Sequence, residues 1–98
     1  MARVYTEGDS PYITVEHEVY SFDTETWALT DPTSIKITII DPDGNTKVDA
    51  ANMDRVAEGK YEYIYTLPAS PATGWWRGYI DVVNGSRPDR EWFGFTVK

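Results

Sequence analysis

The sequence predicts an all-β fold, an antiparallel β-sandwich, on three observations. Residues 59–83 read as two aromatic-rich strands about a short loop: Gly59-Lys60-Tyr61-Glu62-Tyr63-Ile64-Tyr65-Thr66-Leu67-Pro68, then Trp75-Trp76-Arg77-Gly78-Tyr79-Ile80-Asp81-Val82-Val83 after a loop ending at Gly74. Tyr61, Tyr63, Tyr65 and Leu67 share one face, because side chains of an extended chain repeat every two residues. Alternation recurs at 34–40, where Ile35, Ile37 and Ile39 interleave with Lys36 and Thr38. Isoleucine is β-branched and stiff at χ1, which suits a pleated surface. Finally, no long stretch sustains the i, i+3, i+4 apolar spacing of a helix. The best helical candidate, 49–55, is short.

The elements follow in order. A short strand is expected at 3–6, broken by Gly8-Asp9-Ser10-Pro11. Residues 12–22 form the next, with Ile13, Val15, His17 and Val19 on one face and Glu16 and Glu18 on the other. Residues 23–32 read as a long polar loop whose Trp27 and Leu29 tuck under the core. The isoleucine strand ends at Asp41-Pro42-Asp43-Gly44-Asn45, a tight turn in which Pro presets φ and Gly accepts a positive one. A short strand returns at 46–49, and 50–58 crosses to the other sheet with Met53 and Val56 as core plugs. The tyrosine and tryptophan strands come next. Asn84-Gly85 is a two-residue hairpin signal, and 91–98 closes the fold with Phe93, Phe95 and Val97 inward. About seven strands result, in a single domain over 1–98 with no linker and no internal repeat.

Composition bounds the function. The chain has 98 residues, ordinary hydrophobic content at 41%, and aromatics at 14%, rich enough to ask what the surplus rings do. It has no cysteine, so disulfide scaffolds, thiolate metal sites and a cysteine nucleophile are excluded. The net charge of −7 disfavours nucleic acid and anionic membranes as partners. The N-terminal residues lack the apolar core of a signal peptide, and no apolar run is long enough to cross a bilayer. The expectation is synthesis in the cytoplasm without a signal peptide, and residence there or in an assembled particle such as a virion.

Each candidate site has a structural explanation beside it. His17, the only histidine, falls at an inward phase and is expected to pack. Asp41, Asp43 and Asn45 have the spacing that opens a calcium loop, but Gly44 comes too early and Asn52 stands where a bidentate Glu is needed. Turn chemistry explains them. Asn84-Gly85-Ser86 fits a glycosylation sequon, and the hairpin accounts for it. Paired carboxylates need a substrate cleft to do acid–base work, and a filled sandwich core leaves none. No enzyme activity, metal or cofactor is therefore expected. The aromatics differ. If Trp76, Ile80 and Val82 face the core, Trp75, Arg77, Tyr79 and Asp81 face out, and Trp92 does so on the neighbouring strand near Arg90. Exposed Trp, Tyr and Arg are what interface hot spots are built from. Gly78 and Gly94 lie within these strands, where glycine marks a close approach; an aromatic ring over each is expected.

The order of these features, from Asp31-Pro32-x-Ser34 and Asp41-Pro42-Asp43-Gly44 through Gly59-x-Tyr61-x-Tyr63-x-Tyr65-x-Leu67-Pro68 to Ala72-x-Gly74-x-Trp76, resembles the immunoglobulin-like β-sandwiches of bacteria, archaea and their viruses. These include the macroglobulin-type and bacterial Ig-like repeats. The resemblance spans roughly residues 13–97. It implies an Ig-like sandwich that serves as a non-enzymatic interaction module, similar to small phage-encoded virion or assembly proteins. The partner expected is a protein, either a capsid or tail protein or a second copy, met through Trp75, Arg77, Tyr79, Arg90 and Trp92. The alternatives are a carbohydrate-binding module using the same rings and a spacer repeat from a larger surface protein.

Overall fold

The computed structural model describes residues 4–98, and within them 63% of the chain is strand and no helix occurs. Ten strands run in chain order: β1 (Val4–Tyr5), β2 (Tyr12–Glu16), β3 (Glu18–Ser21), β4 (Thr26–Leu29), β5 (Ser34–Ile40), β6 (Thr46–Asn52), β7 (Asp54–Ala57), β8 (Lys60–Ile64), β9 (Gly74–Asn84) and β10 (Arg87–Val97). They form a five-stranded sheet ordered β1-β10-β9-β5-β6, a three-stranded sheet ordered β2-β8-β7, and the hairpin β3-β4. All pairings are antiparallel except β1 with β10, which is parallel. Arg3, in the first expected strand, lies outside the described residues.

One core joins the two larger sheets. Ile35, Ile37 and Ile39 from β5, Trp76 and Ile80 from β9, and Phe95 and Val97 from β10 meet Tyr61 from β8, Met53 and Leu67, with Ile13 and Val15 packed at the margin. The period-2 pattern puts these side chains inward, and burial of an aromatic this size dominates such a core. Trp76 is fully buried, stacked 5.7 Å from Phe95, and its indole N–H donates to the Ala72 carbonyl at 2.8 Å. Thr38 faces away from this core yet is also buried, and its hydroxyl is satisfied there by accepting the Ala50 N–H at 3.1 Å.

The 12–22 strand is interrupted at His17, where the chain changes partner. β2 pairs with β8 and β3 with β4. At the junction the His17 N–H donates to the Gly59 carbonyl at 2.7 Å, and the His17 carbonyl accepts the Thr30 N–H at 3.0 Å. Gly59 turns there with φ of 71°, and a Cβ on it would come within 2.9 Å of Thr30 N, His17 O and Leu29 Cβ. Asp31 holds the junction from outside. Its carboxylate accepts the Gly59 N–H at 2.9 Å and the Tyr61 hydroxyl at 3.0 Å, and it pairs with Arg55 at 3.1 Å. The Arg55 guanidinium first, then the Gly59 N–H, bring this carboxyl down to about 2.

Several expectations are corrected. Ten strands replace about seven. Residues 23–32 are not a loop under the core: 26–29 form β4, Trp27 is 65% exposed and Phe22 87% exposed. A two-stranded ribbon has one side on the solvent, and each of these rings packs on Tyr20 rather than on the core. The helical candidate 49–55 is strand, split between β6 and β7, since sheet pairing with β5 and β8 satisfies its backbone. Met53 is buried as expected, whereas Val56 is 58% exposed on the edge strand β7. The β9-β10 turn is Gly85-Ser86 rather than Asn84-Gly85, because Asn84 already pairs with Arg87; Gly85 takes the positive φ at the first turn position.

Candidate functional site

The outward face of β9 and β10 is set by register. Trp92 lies opposite Tyr79, Gly94 opposite Arg77, Thr96 opposite Trp75 and Arg90 opposite Asp81. All five residues singled out in the sequence, Trp75, Arg77, Tyr79, Arg90 and Trp92, therefore share one face of the five-stranded sheet. Trp75 and Trp92 are 53% and 59% exposed, so neither ring is covered. No bulge interrupts the β9-β10 pairing, which keeps the alternation in phase along the whole ribbon.

The face is organised by contacts within it. The Arg90 guanidinium grips Asp81 through two bonds, Nε to Oδ1 at 2.6 Å and Nη2 to Oδ2 at 3.3 Å. That bond raises the Arg90 pKa above its ordinary value. The same guanidinium lies 3.9 Å above the Tyr79 ring, and Tyr79 meets Trp92 edge to face at 5.0 Å. A planar guanidinium clamped by a carboxylate and stacked on an aromatic ring loses little rotamer freedom when a partner arrives. Trp75 is fixed differently. A Cβ on Gly94 would lie 2.1 Å from Trp75 Cζ2, so the indole lies on the bare backbone there. On the core face, Phe93 covers Gly78 in the same way, with its Cζ 2.5 Å from where a Cβ would stand. Both glycines carry the ring expected of them.

The remaining candidates fall into place locally. His17 is half-buried, and its Nδ1 donates to the Thr30 carbonyl at 2.7 Å; a carbonyl can only accept, so Nδ1 carries the proton. The Asp41 carboxylate is occupied by its own turn, accepting the Asp43 and Asn45 N–H groups at 3.0 and 2.8 Å. Burial pushes its pKa up, but the Asn45 and Asp43 bonds and Lys47 outweigh this and the net shift is downward. Among the described residues no group of three or more His, Asp or Glu side chains is placed to hold a metal ion.

Sequence reasoning missed two features. One is Asp31, whose partners come from residues 24 to 30 positions away. The other is a cleft of about 570 Å³ lined by residues of β2, β3, β4, β9 and β10. The expectation of no cleft fails because β2, β3 and β4 on one side and β9 and β10 on the other leave a space between them that the core does not fill. The missed signal was Tyr20 and Trp27 on either side of Asp23-Thr24; they are direct cross-strand partners about a four-residue loop at 22–25. No family model matches the chain, and neither a curated protein nor a solved structure matches it.

Proposed function

We propose that the protein is a non-enzymatic interaction module that docks on a protein partner through the face carrying Trp75, Arg77, Tyr79, Arg90 and Trp92. The observation behind this reading is the co-location of two uncovered tryptophans with a pre-oriented arginine on one rigid ribbon. Aromatic rings and arginine on a stiff support combine large contact area with low ordering cost. The strand order supports an Ig-like sandwich as its frame: β2-β8-β7 packs against β1-β10-β9-β5-β6 with a parallel first strand on the last, and the β3-β4 hairpin continues β2 beyond His17. The resemblance to small phage-encoded Ig-like proteins makes a capsid or tail protein, or a second copy of this chain, the partner, and a virion-associated or assembly role the setting.

The test is the pair Trp75→Ser and Trp92→Ser, measured by light scattering for self-association and by titration against the structural proteins encoded beside this gene. Loss of docking with an unchanged thermal transition supports the reading, and binding unchanged in the double variant overturns it. A second reading, a carbohydrate-binding module, draws on the Trp75 ring lying flat over Gly94, which leaves one planar face for a sugar to stack on. Quenching of tryptophan fluorescence by an oligosaccharide panel separates the two.

A further inference from the structure

The long strand built from β2 and β3 has one bonded edge and one open edge. At His17 the N–H and C=O both point to the side where Gly59 and Thr30 lie, so β8 and β4 abut end to end along that side. The phase holds in both directions: Tyr65 N–H donates to the Pro11 carbonyl and Leu67 N–H to that of Asp9, while Ile13 and Val15 face Tyr63 and Tyr61, and Val19 faces Ala28. In an antiparallel ladder alternate residues bond to opposite sides. Tyr12, Thr14, Glu16, Glu18 and Tyr20 therefore direct their N–H and C=O groups to the other edge, where no strand pairs among the described residues. An open edge of this length is a template for a further strand.

The cleft runs along this edge. Its apolar lining includes Val15, Val19 and Val82, with Asp89 and Glu91 on the β10 side and a single guanidinium, Arg87; Glu16, which pairs with Lys60 at 3.9 Å, and Glu18 edge it from the opposite face of β2 and β3. The opposite lip is β10, where β1 pairs only with Thr96 and Val97.

We propose that this cleft is a strand-addition site for an extended segment of a partner protein in which aliphatic residues alternate with Lys or Arg. The segment's backbone pairs with Thr14, Glu16, Glu18 and Tyr20. A strand's side chains alternate between faces, so one set enters the cleft over Val15, Val19 and Val82 while the other meets Glu16 and Glu18 on the outside. A second copy of this chain is disfavoured as the occupant, since edge-to-edge pairing would bring like carboxylates together between chains of charge −7. This site is on the core side of β9 and β10 and does not depend on the aromatic face.

The experiment titrates three synthetic nonapeptides: Val alternating with Lys, Val alternating with Glu, and the Val/Lys peptide N-methylated on one edge. Binding is followed by fluorescence polarisation and amide hydrogen exchange. The Val/Lys peptide is expected to bind and to slow exchange at Thr14, Glu16, Glu18 and Tyr20 by about tenfold or more, with the Val/Glu peptide inert. Thr14→Pro removes an N–H that no native ladder bond uses, so the fold is expected to survive and the peptide affinity to fall about tenfold. Glu16→Lys with Glu18→Lys should transfer preference to the Val/Glu peptide. The proposal is overturned if the Val/Lys peptide does not bind, if it binds without slowing those amides, or if the N-methylated peptide binds equally. Protection of the same amides by self-association without peptide also overturns it, assigning the edge to a second copy.

Discussion

At Asp31 one carboxylate serves a guanidinium, a backbone N–H and a phenol, drawn from three places in the chain. Because folding lowers its pKa to about 2 from an ordinary 3.8, the unfolded chain binds the proton more readily. The stability this contributes is fully present above about pH 4 and is lost as pH falls through about 2. Asp31→Asn is therefore expected to destabilise the protein at neutral pH and to flatten the acid limb of a urea-stability profile between pH 4 and 2. Asp41, shifted in the same direction, leaves a residual slope in that variant. Gly59 offers a second test at the same junction. Gly59→Ala meets backbone at under 3 Å and a positive φ, so a loss of more than about 1 kcal/mol is expected. Gly85→Ala, with nothing within 4 Å of its Cβ, should cost less by the same denaturation measurement.

Individual strands differ in what anchors them. β5 and β9 contribute Ile35, Ile37, Ile39, Trp76 and Ile80 to the core, whereas the aromatic rings of β3-β4 pack mainly on one another. Amides of Val19 and Ala28 are expected to exchange by local opening well before those of Ile37 and Ile80, a difference that native-state hydrogen exchange measures directly. Within β9-β10, Gly94→Ala should displace the Trp75 indole and destabilise the ribbon, and Trp75→Ala in the same chain should recover part of the loss. Thermal unfolding of the two single variants and the double variant gives the coupling. Strands with strict alternation and a buried face, such as 34–40, were legible because phase and burial carry the same information. The hairpin was not. Its turn contains Glu25 at φ of 54° where Gly or Asn is the usual signal, and its rings look like core residues when only their chemistry is considered. Residues 49–55 misled for a related reason: Ala50, Ala51 and Met53 suit a helix locally, and cross-strand pairing overrides that preference.

Across the whole molecule the two proposed surfaces lie on opposite sides of β9 and β10. Trp75 and Trp92 point away from the core sheet, and Val82, Asp89 and Glu91 point toward the cleft. Sites that share no partners behave additively. Glu16→Lys with Glu18→Lys is thus expected to leave docking through the aromatic face unchanged, while Trp75→Ser with Trp92→Ser leaves peptide capture unchanged. Parallel titrations of the two double variants check this. The net charge of −7 adds a sign to both sites: association with basic partners should weaken as salt rises.

By itself the sequence determined the all-β class, the inward phases of Ile35, Ile37, Ile39, Trp76, Phe93 and Phe95, and the outward set Trp75, Tyr79 and Trp92. It could do so because a strand's two faces are written in a period of two, which needs no knowledge of the partner strand. Only the tertiary structure decided which strands pair, that the chain at His17 passes from β8 to β4, and that Asp31 gathers Arg55, Gly59 and Tyr61. Those facts depend on edges rather than faces. Which side of a strand its N–H and C=O groups serve leaves no trace in side-chain pattern, so the open edge and its cleft emerge only when the ladder is laid out in three dimensions.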